Sequence, residues 1–299
     1  MSIGVIGAGK WGSALHFALS QKQECSISSR TPRDIKGFVD MQTILTCDYL
    51  LISVPAQAVG KWLSEHFVYN GQKILVASKG IEASSGKFLN EIYAPYVPSQ
   101  NIAFLSGPSF AAEVMQKLPT ALVINSTNKE LAKEFGEFFP DFIKTYTSDD
   151  VVGAEVAGAY KNVIAIAAGI SQGLKLGENA LASLTSRGLV EMHRFGKFFG
   201  AEDETFLGLS GAGDLFLTAS STLSRNFRVG LALAENKTKN EIIEELGEVA
   251  EGVGTAYALK AIAKKHNLYL PIAHEVEAML EGKNPVLSLK KLLSSKGSN

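Results

Sequence analysis

Six residues near the start of the chain, Gly7-Ala8-Gly9-Lys10-Trp11-Gly12, restrict its fold more than any other stretch. They follow an apolar run, Ile3 to Ile6, and open a helical pattern over Lys10 to Gln21. The first glycine permits a tight strand-to-helix turn. The second removes the Cβ that would keep an anion off the backbone, and the third lets helix and strand pack closely. The helix N-terminus then offers N–H groups and the positive end of its dipole to a phosphate. A glycine run alone is a weak signal. Between a strand and a helix, at the head of an alternating pattern, this one reads as a dinucleotide cradle with Gly7, Gly9, Lys10 and Gly12 among its cofactor-binding residues.

The alternation continues. Ser26 to Ser28, Tyr49 to Val54, Ile74 to Ala77, Ile102 to Leu105, Ala121 to Ile124 and Phe142 to Tyr146 are short apolar or β-branched runs separated by helical segments. Continuous apolar runs suit strands covered on both faces, and strand–helix alternation implies a mostly parallel sheet. The expected fold class is α/β, a Rossmann-like doubly wound sheet, over residues 1–148. From 149 to 299 the pattern is helical and no strand is evident, so a second, all-α domain is expected, with a cleft between the two. Val152, Val156, Ala159, Val163, Ile166 and Ile170 mark one helix seam. Further helices are read at Ala180 to Phe199, Arg225 to Glu235, Lys239 to Leu246 and Thr255 to His266. The closing KLLSSKGSN reads as a frayed tail.

Composition narrows the function classes. The 299 residues carry 29 basic and 30 acidic side chains without a basic block, which argues against nucleic acid as a partner. Cys25 and Cys47 belong to no CxxC pair or Cys/His cluster, so no metal site is expected and both thiols read as free in a reducing compartment. The opening MSIGVIGAG enters a strand without the features of a signal peptide, and the most apolar run, Val163 to Ile170, falls short of a membrane span. The expected location is the cytoplasm, with no membrane partner.

The second strand ends in Ser28-Ser29-Arg30 without the carboxylate that usually binds the ribose 2′-hydroxyl of NAD. Arg30 either pairs with the 2′-phosphate of NADP or is simply solvated. NADPH acceptance is favoured, and use of NADH stays open.

Lys161 is the most informative residue of the second half, because its helix is apolar on nearly every face. A lysine is seldom buried without a partner. Its neighbours three and four positions away include Ala157, Gly158 and Ala165, which leave room beside the ammonium. Two readings stand: a proton donor to a carbonyl oxygen, or a lysine whose head reaches solvent. Asp214, at the end of the glycine-rich turn Leu209 to Leu215, either pairs with Lys161 or caps the following helix. Thr218, four residues on, shares its helical face. Ser224-Arg225-Asn226 places a hydroxyl, a guanidinium and an amide at a helix start, which suits a phosphate dianion. Lys79, in the loop after one strand, and Gly107 and Ser109, in the loop after the next, lie where the carboxyl ends of parallel strands line a ligand crevice. None of His16, His66, His193, His266 and His274 sits in such a loop, so the lysine is preferred as acid and base.

Together these residues resemble one family. GAGKWGSA (7–14), VPAQAV (54–59), SKGIE (78–82), SGPSFAAE (106–113), EVAGAYKNVIAIAAG (155–169), SGAGDLFLT (210–218), LSRNFRVG (223–230) and EGVGTA (251–256) are similar, in order, to the motifs of bacterial NAD(P)-dependent glycerol-3-phosphate dehydrogenases. The resemblance implies reversible reduction of dihydroxyacetone phosphate to sn-glycerol 3-phosphate by NADPH or NADH, supplying glycerophospholipid synthesis. It makes Lys161 the proton donor and acceptor. It places Lys79, Gly107, Ser109, Asp214, Ser224, Arg225 and Asn226 around the substrate, and Trp11, Arg30, Lys79, Ala111, Arg225, Val249 and Glu251 at the cofactor. The second domain would resemble the C-terminal domain of 6-phosphogluconate dehydrogenase, and a homodimer is plausible. The chain departs from the family in a shortened segment before YLLISVP and in Tyr160, where leucine is common. Two rivals remain on the residues alone: a dehydrogenase of the same architecture for another hydroxy acid or sugar phosphate, and an NAD(P)-binding regulator without turnover.

Overall fold

The computed structural model describes residues 1–247 and 250–294. Two compact units emerge: Met1–Lys79 with Leu89–Glu155, and Gly80–Phe88 with the chain from Val156 onward. The division of these units falls inside a long helix, and the short stretch 80–88 goes with the helical unit.

Seven strands form one sheet among the described residues of the first unit: β1 (Ile3–Ile6), β2 (Ser26–Ser28), β3 (Tyr49–Ile52), β4 (Lys73–Val76), β5 (Ile102–Ser106), β6 (Thr120–Asn125) and β7 (Ile143–Ser148). Their order is β2-β1-β3-β4-β5-β6-β7. Every neighbour pair is parallel except β5 with β6. The helices are α1 (Lys10–Leu19), α2 (Met41–Ile44), α3 (Ala56–His66), α4 (Leu89–Tyr93), α5 (Ala111–Met115) and α6 (Lys129–Glu137). Side chains alternate across a strand, and in the central strands β1, β3, β4 and β5 both faces are buried. Val5, Leu51, Leu75 and Leu105 pack with Leu15 of α1, Val114 of α5 and Phe135 of α6. Ile6, Ile52, Val76 and Phe104 pack with Val59 of α3 and Tyr93 of α4 on the other face. Two-sided burial is why these central strands read as unbroken apolar runs.

The long helix α7 (Val151–Gly173) passes the length and composition test for a membrane span, unlike the shorter run read from the sequence, but 89% of its apolar window is buried inside the protein. It is a core helix. Then come α8 (Glu178–Phe198), α9 (Asp203–Leu207), α10 (Asp214–Ala219), α11 (Arg225–Ala234), α12 (Lys239–Leu246), α13 (Glu251–His266), α14 (Pro271–Leu280) and α15 (Pro285–Ser294). No strand occurs among the described residues of this unit. The expected frayed tail is helical from Lys291 to Ser294 and beyond that lies outside the described residues.

Close approach of α7 and α11 depends on glycine at both contacts. A Cβ on Gly169 would overlap the Phe227 carbonyl oxygen, and one on Gly230 would overlap the Ile166 carbonyl oxygen. The crossing brings Asn226, at the start of α11, within 2.8 Å of Asn162.

Candidate active site

In the first unit, Gly7 adopts φ +107°, a left-handed conformation that glycine tolerates, and its N–H donates to the Ser28 carbonyl at 2.8 Å. A Cβ at Gly12 would overlap the Gly7 carbonyl oxygen, so the helix lies as close to the turn as backbone allows. At Gly9 the position of a Cβ meets nothing within 4 Å, and no side chain caps α1. Open space over an uncapped helix start is what a pyrophosphate needs, so these residues fit a dinucleotide. Lys10 and Arg30 are exposed, the latter beside the β2 tip. Trp11 is half-buried, and its indole Nε1 donates to the Ala77 carbonyl at 3.2 Å, joining α1 to the end of β4.

Lys79 follows β4 and donates through Nζ to the Gly107 carbonyl at 3.2 Å. Ser109 Oγ donates to the same carbonyl at 3.3 Å. Gly107, at φ +100°, follows β5, and Ala111 is the first residue of α5. The first unit thus gathers Lys79, Gly107 and Ser109 at the carboxyl ends of neighbouring strands.

In the second unit Lys161 is 8% exposed and Asp214 is 1% exposed. Lys161 Nζ donates to Asp214 Oδ1 at 2.6 Å and to Thr218 Oγ1 at 2.9 Å. The Thr218 hydroxyl in turn donates to the Asp214 carbonyl at 2.7 Å, which leaves its lone pairs for the ammonium. Of the two readings for each residue, the lysine is buried rather than reaching for solvent. Asp214 does not cap α10, whose N-cap is Gly213 and has no side-chain capping bond. The glycine-rich stretch before it is wound as a π-helix, Leu209–Gly213, rather than a simple turn. Such turns recur at functional sites, where the extra residue redirects side chains.

Ser224 is the N-cap of α11, its Oγ accepting from the Phe227 N–H at 3.2 Å. Its own proton is still available as a donor. Arg225 is half-buried and Asn226 buried. Glu251 opens α13, and Val249 lies outside the described residues. His193 pairs with Asp203 at 2.7 Å on the exposed surface.

Three buried residues escaped the sequence reading. Asn162 and Gly252 both contact Asn226. Glu191 accepts from Tyr160 Oη at 2.7 Å and from the N–H groups of Ile272 and Ala273 at 2.9 and 3.0 Å. Burial raises its carboxyl above the ordinary range. The only available signal was Tyr160 itself, a polar ring in an apolar helix.

A doubly wound sheet with an open glycine cradle, together with a helical unit holding a buried lysine–carboxylate pair, defines a nicotinamide-dependent dehydrogenase. Residues 27–132 match the family described as NAD-dependent glycerol-3-phosphate dehydrogenase N-terminus, and residues 150–291 match the corresponding C-terminus. A relative from Sulfurimonas denitrificans, glycerol-3-phosphate dehydrogenase (NAD(P)+), is 71% identical over 98% of this chain and 99% of its own. One of the same name from Campylobacter jejuni subsp. doylei is 61% identical over 98% of this chain and 99% of its own. The crystal structure of glycerol-3-phosphate dehydrogenase from Coxiella burnetii superposes with a TM-score of 0.90 at 32% identity, covering 98% of this chain and 99% of that one. This chain belongs to the NAD-dependent glycerol-3-phosphate dehydrogenase family.

Proposed function

We propose that the protein reduces dihydroxyacetone phosphate to sn-glycerol 3-phosphate, reversibly, with Lys161 as the proton donor. The observation that carries this reading is the buried Lys161 ammonium, bonded to Asp214 at 2.6 Å and Thr218 at 2.9 Å. Bound NADH or NADPH supplies a hydride for the ketone carbon. Lys161 then delivers a proton to the oxygen on which negative charge develops, and recovers it in the reverse direction. Asp214 holds the ammonium charged and oriented before reaction, so little reorganisation is needed as the alkoxide forms. Thr218 fixes a second N–H of the lysine.

Ser224, Arg225 and Asn226 hold the phosphate dianion with a hydroxyl, a guanidinium and an amide at the start of α11. Lys79, Gly107 and Ser109 provide further polar contacts to the substrate from the first unit. Residues 1–148 act as the dinucleotide-binding part, with Gly7, Gly9, Lys10, Trp11, Gly12, Arg30, Lys79 and Ala111 at the cofactor. Residues 149–299 act as the substrate-binding part and add Arg225, Val249 and Glu251 to the cofactor. The setting we propose is cytoplasmic supply of glycerophospholipid synthesis, by a homodimer without membrane or nucleic-acid partners.

The test is oxidation of NADPH and of NADH, at matched concentrations, with and without dihydroxyacetone phosphate. Ketone-dependent oxidation is expected with at least one of them. A folded protein that binds both cofactors and oxidises neither refutes the substrate. Faster turnover of a phosphate-free hydroxy acid refutes the role of Ser224, Arg225 and Asn226.

A further inference from the structure

Asn162 stands beside Lys161 on α7 and has no part in the chemistry above. Its buried side chain begins a relay of hydrogen bonds across α7, α11 and α13. Asn162 Nδ2 donates to the Gly158 carbonyl at 3.1 Å. Asn162 Oδ1 accepts from Asn226 Nδ2 at 2.8 Å. Asn226 Oδ1 accepts from the Gly252 N–H at 3.0 Å.

The ends of this relay are backbone groups of opposite character. A carbonyl only accepts and an N–H only donates. Gly158 therefore requires the NH2 of Asn162, which leaves Asn162 Oδ1 facing Asn226. Gly252 requires the oxygen of Asn226, which leaves the Asn226 NH2 facing Asn162. Flipping either amide would set donor against donor or acceptor against acceptor, at the cost of a buried unmade bond. The α13 end is also sterically fixed. A Cβ at Gly252 would lie 2.7 Å from Asn226 Oδ1 and 2.8 Å from the Asn162 carbonyl oxygen.

We propose that Asn162 is a positioning residue for the substrate's phosphate. With its oxygen committed to Gly252 and one N–H to Asn162, Asn226 has a second N–H on Nδ2, a donor suited to an anion. A flipped Asn226 would present an oxygen lone pair in that direction and repel the dianion. The relay also ties the phosphate site to the first turn of α13, one residue after Glu251. The inference rests on the reading that Asn226 binds the phosphate, and the experiment separates the two.

Asn162→Leu, Asn226→Ala and the double variant are compared with dihydroxyacetone phosphate and with phosphate-free dihydroxyacetone. The amide resonance of Gly252 is followed in nitrogen-edited spectra of the protein without cofactor. Each single variant is expected to raise KM for dihydroxyacetone phosphate about tenfold, the scale of one hydrogen bond to a charged group, with kcat within about threefold. Turnover of dihydroxyacetone falls far less, the Gly252 resonance shifts in both single variants, and the double variant is no worse than Asn226→Ala. If Asn226→Ala raises KM and Asn162→Leu does not, the relay is wrong. If Asn226→Ala leaves KM unchanged, the phosphate reading itself fails. Equal losses on the two substrates, or additive effects, make Asn162 a packing residue and overturn the proposal. Should Asn162→Leu not fold, Asn162→Ala carries the same expectations.

Discussion

Glu155 carries an almost fully buried carboxyl group, and substituting it by glutamine tests that burial quantitatively. Its Oε1 accepts from the Asn90 N–H at 3.0 Å, while its Oε2 is buried without a hydrogen-bond partner among the described residues. Burial pushes the carboxyl up from 4.5 to about 8, outweighing the backbone N–H bonds, and Glu91 adds repulsion. The folded protein therefore keeps a proton that the unfolded chain releases between pH 4.5 and about 8. Because the folded value is raised, stability is fully present below 4.5 and declines as pH rises toward 8. Each pH unit inside that window is worth about 1.4 kcal/mol, so the loss by about pH 7.5 is of the order of 4 kcal/mol. Glu155→Gln keeps the shape and the oxygen for Asn90 but cannot ionise. Urea unfolding followed by circular dichroism at about pH 5 and about pH 7.5 is the assay. The two proteins should be within about 1 kcal/mol at the lower pH, and the variant more stable by a few kcal/mol at the higher one. Equal pH slopes, or a variant less stable than the parent at about pH 7.5, would refute the argument.

Lys161→Met should lower kcat by about a thousandfold while NAD(P)H affinity, read by quenching of tryptophan fluorescence, stays within about twofold; turnover near the parent rate sinks the proton-donor role. Arg30→Ala should raise KM for NADPH by about tenfold and leave KM for NADH nearly unchanged, the scale of one charged pair to a phosphate; equal effects on both would show a solvated arginine. Glu275 is buried in α14, and although burial acts to raise its carboxyl, hydrogen bonds from Lys283 and Lys291 hold it down to about 2. The stability this provides is fully present above 4.5 and is lost as pH falls toward 2. Glu275→Gln should therefore cost about 2 kcal/mol near neutral pH and flatten the acid limb of the stability profile, measured by thermal unfolding.

Residues that violate their surroundings were the ones the sequence exposed. Lys161 was conspicuous because a lysine in an apolar helix demands an explanation, and Asp214 because a carboxylate follows Gly211-Ala212-Gly213 in sequence. The strands were conspicuous because two covered faces leave no polar alternation. Direction within the sheet was less legible: β6 runs antiparallel to β5 after only the short α5, and an apolar run has no polarity that would reveal this. The π-helical winding before Asp214 was hidden for a similar reason, since one extra residue in a turn leaves no trace in composition.

The relay of Asn162, Asn226 and Gly252 was hidden by distance, its members being 64 and 26 residues apart along the chain. Glu191 shows the same limit in a sharper form. In the sequence it is an ordinary glutamate within an amphipathic helix. In the fold it stands at the start of α14, where Leu270 provides no side-chain cap and Pro271 occupies the first turn. The N–H groups of Ile272 and Ala273 would be left unmet there, and a carboxylate reaching across from α8 accepts both. Its remaining acceptor capacity takes the hydroxyl of Tyr160, which explains why a tyrosine is tolerated one residue before Lys161, in a position where an apolar side chain would otherwise suffice. A helix cap supplied from a distant helix follows from burial and unmet N–H groups, not from any local pattern, so only the assembled fold could reveal it.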